Sequence, residues 1–343
     1  MMFDQIIFRL SNLFGVSPKV KWLNWEVTDL CNSRCQLCDI WKSQEKSQAL
    51  SLEQIKSVFS DPLFKKLKYI ILTGGEPVLR KDLIDIILFI HSKLPKVGFT
   101  ISTNALLPER VISAASEAVK KGVHIDVGIS LDGIGEHHDK IRGVPGNYEK
   151  ADQLIKKLLE LKKTSKGNLG IIVGQTIHPL TIDYIDEVRD YAKKMGVEYL
   201  AQLYDEAPYY HNIGKSKISD KELNKMISSI SRLAPSFHNE VLLEILKNKK
   251  IKFDCFALRS FFILRANGDI MPCLRMCDVQ IGNVKERTPS EIWKSKEAKH
   301  TRESVKKCSG CSNTWATDWS KESNSLPFLG LIYKAFIRKL RGS

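Results

Sequence analysis

Between residues 21 and 204 the chain alternates short apolar, β-branched runs with longer stretches whose apolar residues recur at helical spacing. The runs 21–28, 68–73, 97–103, 124–130, 169–177 and 197–204 predict six strands, each followed by a polar or glycine-bearing loop. After the fourth, Leu154, Ile155, Leu158, Leu159 and Leu161 line one face of a predicted helix. Parallel neighbours need a crossover long enough to hold a helix, so this alternation predicts a parallel sheet. Six units rather than eight predict an α/β fold built as an open, partial (β/α)6 TIM-like barrel, with its chemistry at the carboxyl ends of the strands.

After residue 205 the alternation stops. An irregular, tyrosine-rich segment at 205–217 precedes helical patterns at 220–233 and 239–246. A hairpin over 261–274 turns on Ala266-Asn267-Gly268-Asp269, and 290–298 is again helical. The expected division is an amphipathic helix at 1–20, the barrel at 21–235, a small C-terminal α+β domain at 236–320 and a basic amphipathic helix at 321–343.

Charge and cysteine content narrow the function. The 343 residues carry 53 Lys and Arg against 39 Asp and Glu, a net charge of +14 that favours acidic partners. No apolar run approaches the ~20 residues of a membrane span, and the first residues lack the pattern of a secretory signal. Eight cysteines in such a chain suit a reducing cytoplasm and metal chemistry rather than disulfides. Cys31, Cys35 and Cys38 follow the first strand with C-x3-C-x2-C spacing and no fourth cysteine nearby. Three thiolates can hold a cubane cluster with one iron open, or a zinc completed by Asp39 or a histidine. The second strand ends in Thr73-Gly74-Gly75-Glu76-Pro77, where glycines admit a ligand close to the backbone and a carboxylate can meet an ammonium group.

The three-cysteine loop followed by a Gly-Gly-Glu-Pro strand end resembles the radical S-adenosylmethionine enzymes. The resemblance continues through Ser102-Thr103-Asn104, Ser130-Leu131-Asp132-Gly133 and Arg142-Gly143, over roughly residues 20–320. It implies a [4Fe–4S] cluster on Cys31, Cys35 and Cys38 whose open iron chelates S-adenosylmethionine, with Gly74, Gly75, Glu76 and Pro77 beside the methionine part. An electron from the cluster then yields a 5′-deoxyadenosyl radical that abstracts hydrogen from substrate, the cofactor supplying the chemistry and the barrel the orientation. Thr103, Asn104, Ser130 and Asp132 fall where the family contacts methionine or ribose, though each residue type also caps helices. Arg142 is either a partner of the methionine carboxylate or a solvated loop arginine.

Cys255, Gly268 and Cys273, then Cys308 and Cys311, resemble the twitch domain, a shortened relative of the SPASM domain. By that likeness four thiolates enclose one auxiliary [4Fe–4S] cluster; structural zinc is the competing occupant. Cys277 is left over, as a spare ligand, a residue near substrate or a small buried hydrophobe. Tyr204, Asp205, Glu206, Tyr209, Tyr210 and His211 after the sixth strand form either a substrate wall with catalytic groups or a polar lid. Gln175, His178 and Glu26 are weaker candidates.

The expected activity is hydrogen abstraction from an unactivated carbon of a sugar, alcohol or lipid-linked metabolite, giving dehydrogenation or bond formation. The short stretch before the first strand disfavours a peptide-recognition or cobalamin domain, and the missing Gly-Gly tail disfavours a molybdopterin-precursor cyclase. A maturase of a ribosomally made peptide is the second reading. A non-catalytic RNA-binding metalloprotein is the third, weakened because the basic residues form no RNA-reading motif. An acidic flavodoxin or ferredoxin is the expected electron donor. The two terminal helices, with Phe3, Ile6, Ile7, Leu10, Leu13 and Phe14 at one end and Phe328, Leu329, Ile332, Phe336 and Leu340 at the other, either pack on the barrel or lie on an anionic membrane surface.

Overall fold

The computed structural model describes residues 19–42, 49–215, 217–308, 310–323, 325 and 328–341. The expected helix at 1–20 lies almost wholly outside the described residues. Six parallel strands form the barrel wall: β1 Trp22–Thr28, β2 Tyr69–Gly74, β3 Gly98–Thr103, β4 Ile125–Ser130, β5 Leu169–Ile177 and β6 Glu198–Leu203. Each falls within about a residue of its predicted run. The helices around the wall are α1 Leu52–Phe59, α2 Leu83–Lys93, α3 Pro108–Lys120, α4 Glu136–Arg142, α5 Asn147–Thr164 and α6 Ile185–Met195.

All seven residues of β1 are buried, as expected of a strand covered on both faces. Leu23, Trp25 and Val27 join the core under the helices together with Ile70, Leu72, Phe99, Ile101, Val127 and Ile171. The alternate positions Asn24, Glu26 and Thr28 face the opposite way and are also buried, leaving polar groups inside the barrel.

The C-terminal third begins with α7 Asp220–Ser231 and α8 Phe237–Asn248, then β7 Phe261–Leu264, β8 Asp269–Met271 and the short β9 Gly282–Asn283. It ends with α9 Pro289–Lys294, α10 Lys296–Lys306, α11 Thr314–Ser323 and α12 Leu329–Arg341. The predicted hairpin forms, but it also lengthens the barrel sheet: β7 pairs in parallel with β1, from Trp22 with Phe261 to Trp25 with Leu264. One sheet therefore runs β6-β5-β4-β3-β2-β1-β7-β8-β9. The helical pattern at 290–298 is two helices, split at Ser295, whose extended backbone (φ −62°, ψ 165°) also caps α10.

Helix α12 packs on α8 through Phe328 and Leu331 beside Val241 and Ile245. Arg338 meets Glu240 on that side, and Lys334 lies 3.3 Å from Glu244. The predicted apolar face is thus divided: Phe328 is buried, Ile332 packs against the same cluster, and Leu329 and Phe336 stay exposed with Tyr333. Of the basic side chains, Arg338 is drawn toward α8, whereas Lys334 and Lys339 stay exposed.

Candidate active site between two cysteine sets

The loop carrying Cys31, Cys35 and Cys38 is held on three sides by backbone hydrogen bonds. Gly75 N–H donates to Thr28 O and Glu76 N–H to Leu30 O, at 2.8 and 2.7 Å. Arg34 N–H donates to Arg142 O and Gln36 N–H to Ile141 O, at 3.0 and 2.9 Å, and Asp39 N–H to Tyr210 O at 3.0 Å. A Cβ at Gly74 would overlap the Thr28 carbonyl oxygen and one at Gly75 that of Leu30, while one at Gly143 (φ +67°) would overlap that of Arg34. Glycine is required here by close backbone approach.

The three thiols are free and half-buried. Burial pushes Cys31 up to about 11 and Cys38 up to about 12. Thiols this hard to ionise need a cationic group to stabilise their thiolates, which a metal centre provides. Polar donors already ring them: Ser33 Oγ lies 3.1 Å and Arg142 Nη1 3.8 Å from Cys35 Sγ, and Asn104 Nδ2 3.9 Å from Cys31 Sγ. Three half-buried thiols in one loop, with hydrogen-bond partners at two of them, fit an open-iron cluster.

The surrounding polar residues are more committed to one another than the sequence suggests. Glu76 is buried; its Oε1 accepts from Thr103 Oγ1 at 2.8 Å and its Oε2 from Asn104 N–H at 2.7 Å, which ties the end of β2 to the end of β3. Burial raises its pKa to about 7 despite those bonds. Thr103 and Asn104 also cap the following turn, accepting from Ala105 N–H and Leu106 N–H. Pro77 starts the turn Pro77–Leu79, and Ser130 closes β4 half-buried. Arg142 is not a solvated loop arginine: its side chain is 13% exposed and its Nη2 lies 2.8 Å from Asp132 Oδ2. Burial works against the charge on Arg142, but the Asp132 carboxylate outweighs it and holds the pKa above its ordinary value. Asp132 Oδ1 accepts from Thr176 N–H at 2.9 Å, and Asp132 N–H donates to His138 Nδ1 at 3.1 Å.

A cavity opens beside Cys35 and Cys38 where the barrel meets the C-terminal segment, lined by Thr176, Gln202, Tyr204, Tyr210, Asn313 and Trp315 among others. Of the predicted catalytic group, Tyr204, Asp205 and Tyr210 reach it. Tyr204 stands edge-on to His178 with ring centroids 4.7 Å apart. Glu206 and His211 are not among its lining residues, and His211 is exposed in a left-handed turn (φ +53°). Tyr209 is buried in an apolar cluster with Ile40, Ile263 and Met271. Glu26 is buried against Arg265 at 3.1 Å, and Gln175 accepts from Tyr199 OH at 2.7 Å. Asp205 is a clamp rather than a free acid or base: it takes Arg275, Ser312 Oγ at 3.3 Å and Asn313 Nδ2 at 3.2 Å. Sequence reasoning missed Asn313 and Trp315, although an amide and an indole directly after the last Cys-x2-Cys pair are a usable signal.

Cys255, Cys273, Cys308 and Cys311 line a second cavity, and Trp315 and Asn313 form part of the wall between the two. Cys277 does not line it; it packs with Cys38 and Tyr210 against the Tyr209 cluster. Burial pushes Cys255 and Cys311 up to about 12 and raises Cys273. Asn313 N–H points at Cys311 Sγ at 3.2 Å. Among the described residues no three His, Cys, Asp or Glu side chains converge as on one metal ion. Four thiols around one cavity are the donor set of an iron–sulfur cluster or of a structural zinc.

The Radical SAM superfamily model matches residues 25–183, and the SPASM iron–sulfur cluster-binding domain model matches residues 255–312. The Fe-coproporphyrin III synthase of Methanosarcina barkeri is 34% identical over 37% of this chain and 31% of its own length. A probable GTP 3′,8-cyclase of Methanococcus vannielii is 26% identical over 75% of this chain and 85% of its own. The mycofactocin maturase MftC of Mycolicibacterium smegmatis is 26% identical over 51% and 42%. The chain thus spans less than half the length of the first and third. Among solved structures, native anSMEcpe with bound AdoMet and the Cp18Cys peptide superposes with a TM-score of 0.61 at 19% identity, over 93% of this chain and 99% of that one, a likeness of fold. The chain carries a radical S-adenosylmethionine domain and a SPASM domain, which together imply a [4Fe–4S] cluster, S-adenosylmethionine and auxiliary iron–sulfur clusters.

Proposed function

We propose that this enzyme abstracts hydrogen from an unactivated carbon of a ribosomally made peptide. The observation that carries this is the lining of the mouth. Besides Cys35 and Cys38, the described residues that line it are the amides Gln202, Asn212 and Asn313, Tyr204, Tyr210, Trp315, two threonines, two leucines and the acids Asp132 and Asp205; the one cation among them, Arg142, is paired with Asp132. A polyphosphate substrate needs unpaired Arg or Lys; amides and aromatics match peptide groups and side chains. The likeness to MftC, a maturase, supports the same reading over the sequence-based preference for a metabolite.

When bound, the open cluster and S-adenosylmethionine supply the 5′-deoxyadenosyl radical. The chain's part is positional. Cys31, Cys35 and Cys38 hold the cluster, the Gly74-Gly75 edge seats the methionine part, and Glu76 braces the loop that carries Asn104. Arg142 sets positive charge beside Cys35, while Tyr204, Tyr210 and Trp315 screen the mouth from water. Cys255, Cys273, Cys308 and Cys311 hold the auxiliary cluster. The test is deuterium transfer: reconstituted enzyme with deuterated peptides should give deuterated 5′-deoxyadenosine, and label arising only from sugars or nucleotides overturns the proposal.

A second reading, a lipid-linked substrate at an anionic membrane, is favoured by α12. Leu329, Tyr333 and Phe336 are 54%, 64% and 57% exposed on one stripe, with Lys339 alongside. No described helix is long and apolar enough to cross a membrane, so the expected contact is superficial. Flotation with anionic vesicles should carry the protein and lose it in Phe336→Glu; absence of flotation sinks this reading.

A further inference from the structure

A lysine-rich surface lies over the auxiliary cysteines. Ile251 and Cys311 exchange backbone hydrogen bonds, Ile251 N–H to Cys311 O at 2.8 Å and Cys311 N–H to Ile251 O at 2.9 Å. This bridge lays the run Lys247-Asn248-Lys249-Lys250-Ile251-Lys252 against Cys311. On the other side Lys306 and Lys307 lead directly into Cys308. Lys247, Lys249, Lys252, Lys306 and Lys307 are exposed, and so is Cys308. The nearby acids are engaged: Glu303 pairs with Lys306 at 2.7 Å and Asp254 with Arg259. Cys308 thus stands at the surface within a lysine rim, while Cys255, Cys273 and Cys311 sit deeper around the same cavity.

We infer that this rim is the docking surface for an acidic one-electron carrier protein of the ferredoxin or flavodoxin class, which exchanges an electron directly with the auxiliary cluster. Complementary charge speeds the encounter of such partners and orients them, and the exposed Cys308 edge puts the cluster within reach of the docked face. In the reductive direction one electron leaves the carrier's reduced centre and enters the auxiliary cluster, taking it from 2+ to 1+; no bond forms or breaks and no proton moves. The mouth and its Arg142–Asp132 pair lie on the far side of the Trp315 wall, so carrier and substrate need not compete for one surface. The inference rests on the four cysteines holding iron.

The test uses the full chain with Cys31, Cys35 and Cys38 replaced by Ala, so that the auxiliary cluster alone is reduced. A dithionite-reduced plant-type [2Fe–2S] ferredoxin is mixed with it at low ionic strength, and the second-order reduction rate is followed optically. Lys249→Glu, Lys252→Glu and Lys307→Glu together should slow reduction at least tenfold, the gap closing toward 1 M salt, where screening shortens to about 3 Å. Arginine at the same three positions should keep the rate, as should Lys193→Glu with Lys194→Glu on α6. A change under twofold in the rim variant, or an equal loss in the α6 control, overturns the docking site. About four irons in every variant shows that the cluster is intact; zinc in place of iron overturns the cluster reading and this inference together.

Discussion

Asp132→Asn is the most informative single substitution at the mouth. The asparagine keeps an oxygen for the bond from Thr176 N–H at 2.9 Å, so chiefly charge is removed. Arg142 then stands with its side chain 13% exposed and the Cys35 sulfur as its nearest remaining side-chain partner, at 3.8 Å, with Cys38 and Glu76 further off. Removing one partner of a buried ion pair costs about 3–5 kcal/mol, because the other charge stays desolvated without compensation. Asp132→Asn with Arg142→Met should recover most of that loss, since the double variant buries no charge. Anaerobic urea denaturation of cluster-free protein, followed by circular dichroism, measures both. With the cluster loaded the cost should shrink, because Cys35 is then a thiolate facing Arg142. A loss below about 1 kcal/mol in the single variant, or a double variant no more stable than the single, refutes this reasoning.

Gly75→Ala drives a methyl group onto the Leu30 carbonyl and should strip iron from the first set while leaving the auxiliary iron, as read by iron analysis and a more than tenfold fall in 5′-deoxyadenosine. Replacing Cys31, Cys35 and Cys38 with Ala should lower bound iron from roughly eight to roughly four and abolish S-adenosylmethionine cleavage. Burial depresses the His138 pKa to about 3, so the unfolded chain takes up a proton below about 6.5 that the folded chain refuses. Stability from this group is full above that pH and falls by about 1.4 kcal/mol per unit on acidification toward 3, a slope His138→Gln should remove from urea midpoints. Asp205→Ala leaves Arg275, Ser312 and Asn313 without their shared acceptor, and faster amide exchange across 308–315 should report the loosened clamp.

The parts of this protein legible in sequence are those whose chemistry demands a residue type at short spacing. C-x3-C-x2-C, the Gly-Gly-Glu-Pro strand end and the later Cys-x2-Cys pair each lie within one loop, where spacing alone sets geometry. The barrel strands were legible because the positions facing the helices are apolar and buried at every second residue, as in Leu23, Trp25 and Val27 of β1 and Ile125, Val127 and Ile129 of β4. Tyr209 and His211 show where that legibility ends. Both follow the sixth strand, yet one is buried with Ile263 and the other exposed in a left-handed turn, a difference that neighbours far along the chain decide.

By itself, then, the sequence determined the order of βα units, the two cysteine sets and the glycine pair at the end of the second strand. Only the tertiary structure decided that β7 joins the barrel sheet beside β1, that Asp132 holds Arg142, that Asp205 clamps the auxiliary segment and that two lysine runs meet around Cys308. Local spacing fixes what a loop can bind. The partner of a charged side chain 70 residues away depends on the packing of whole strands and helices, in which each long-range pairing competes with many others of similar strength.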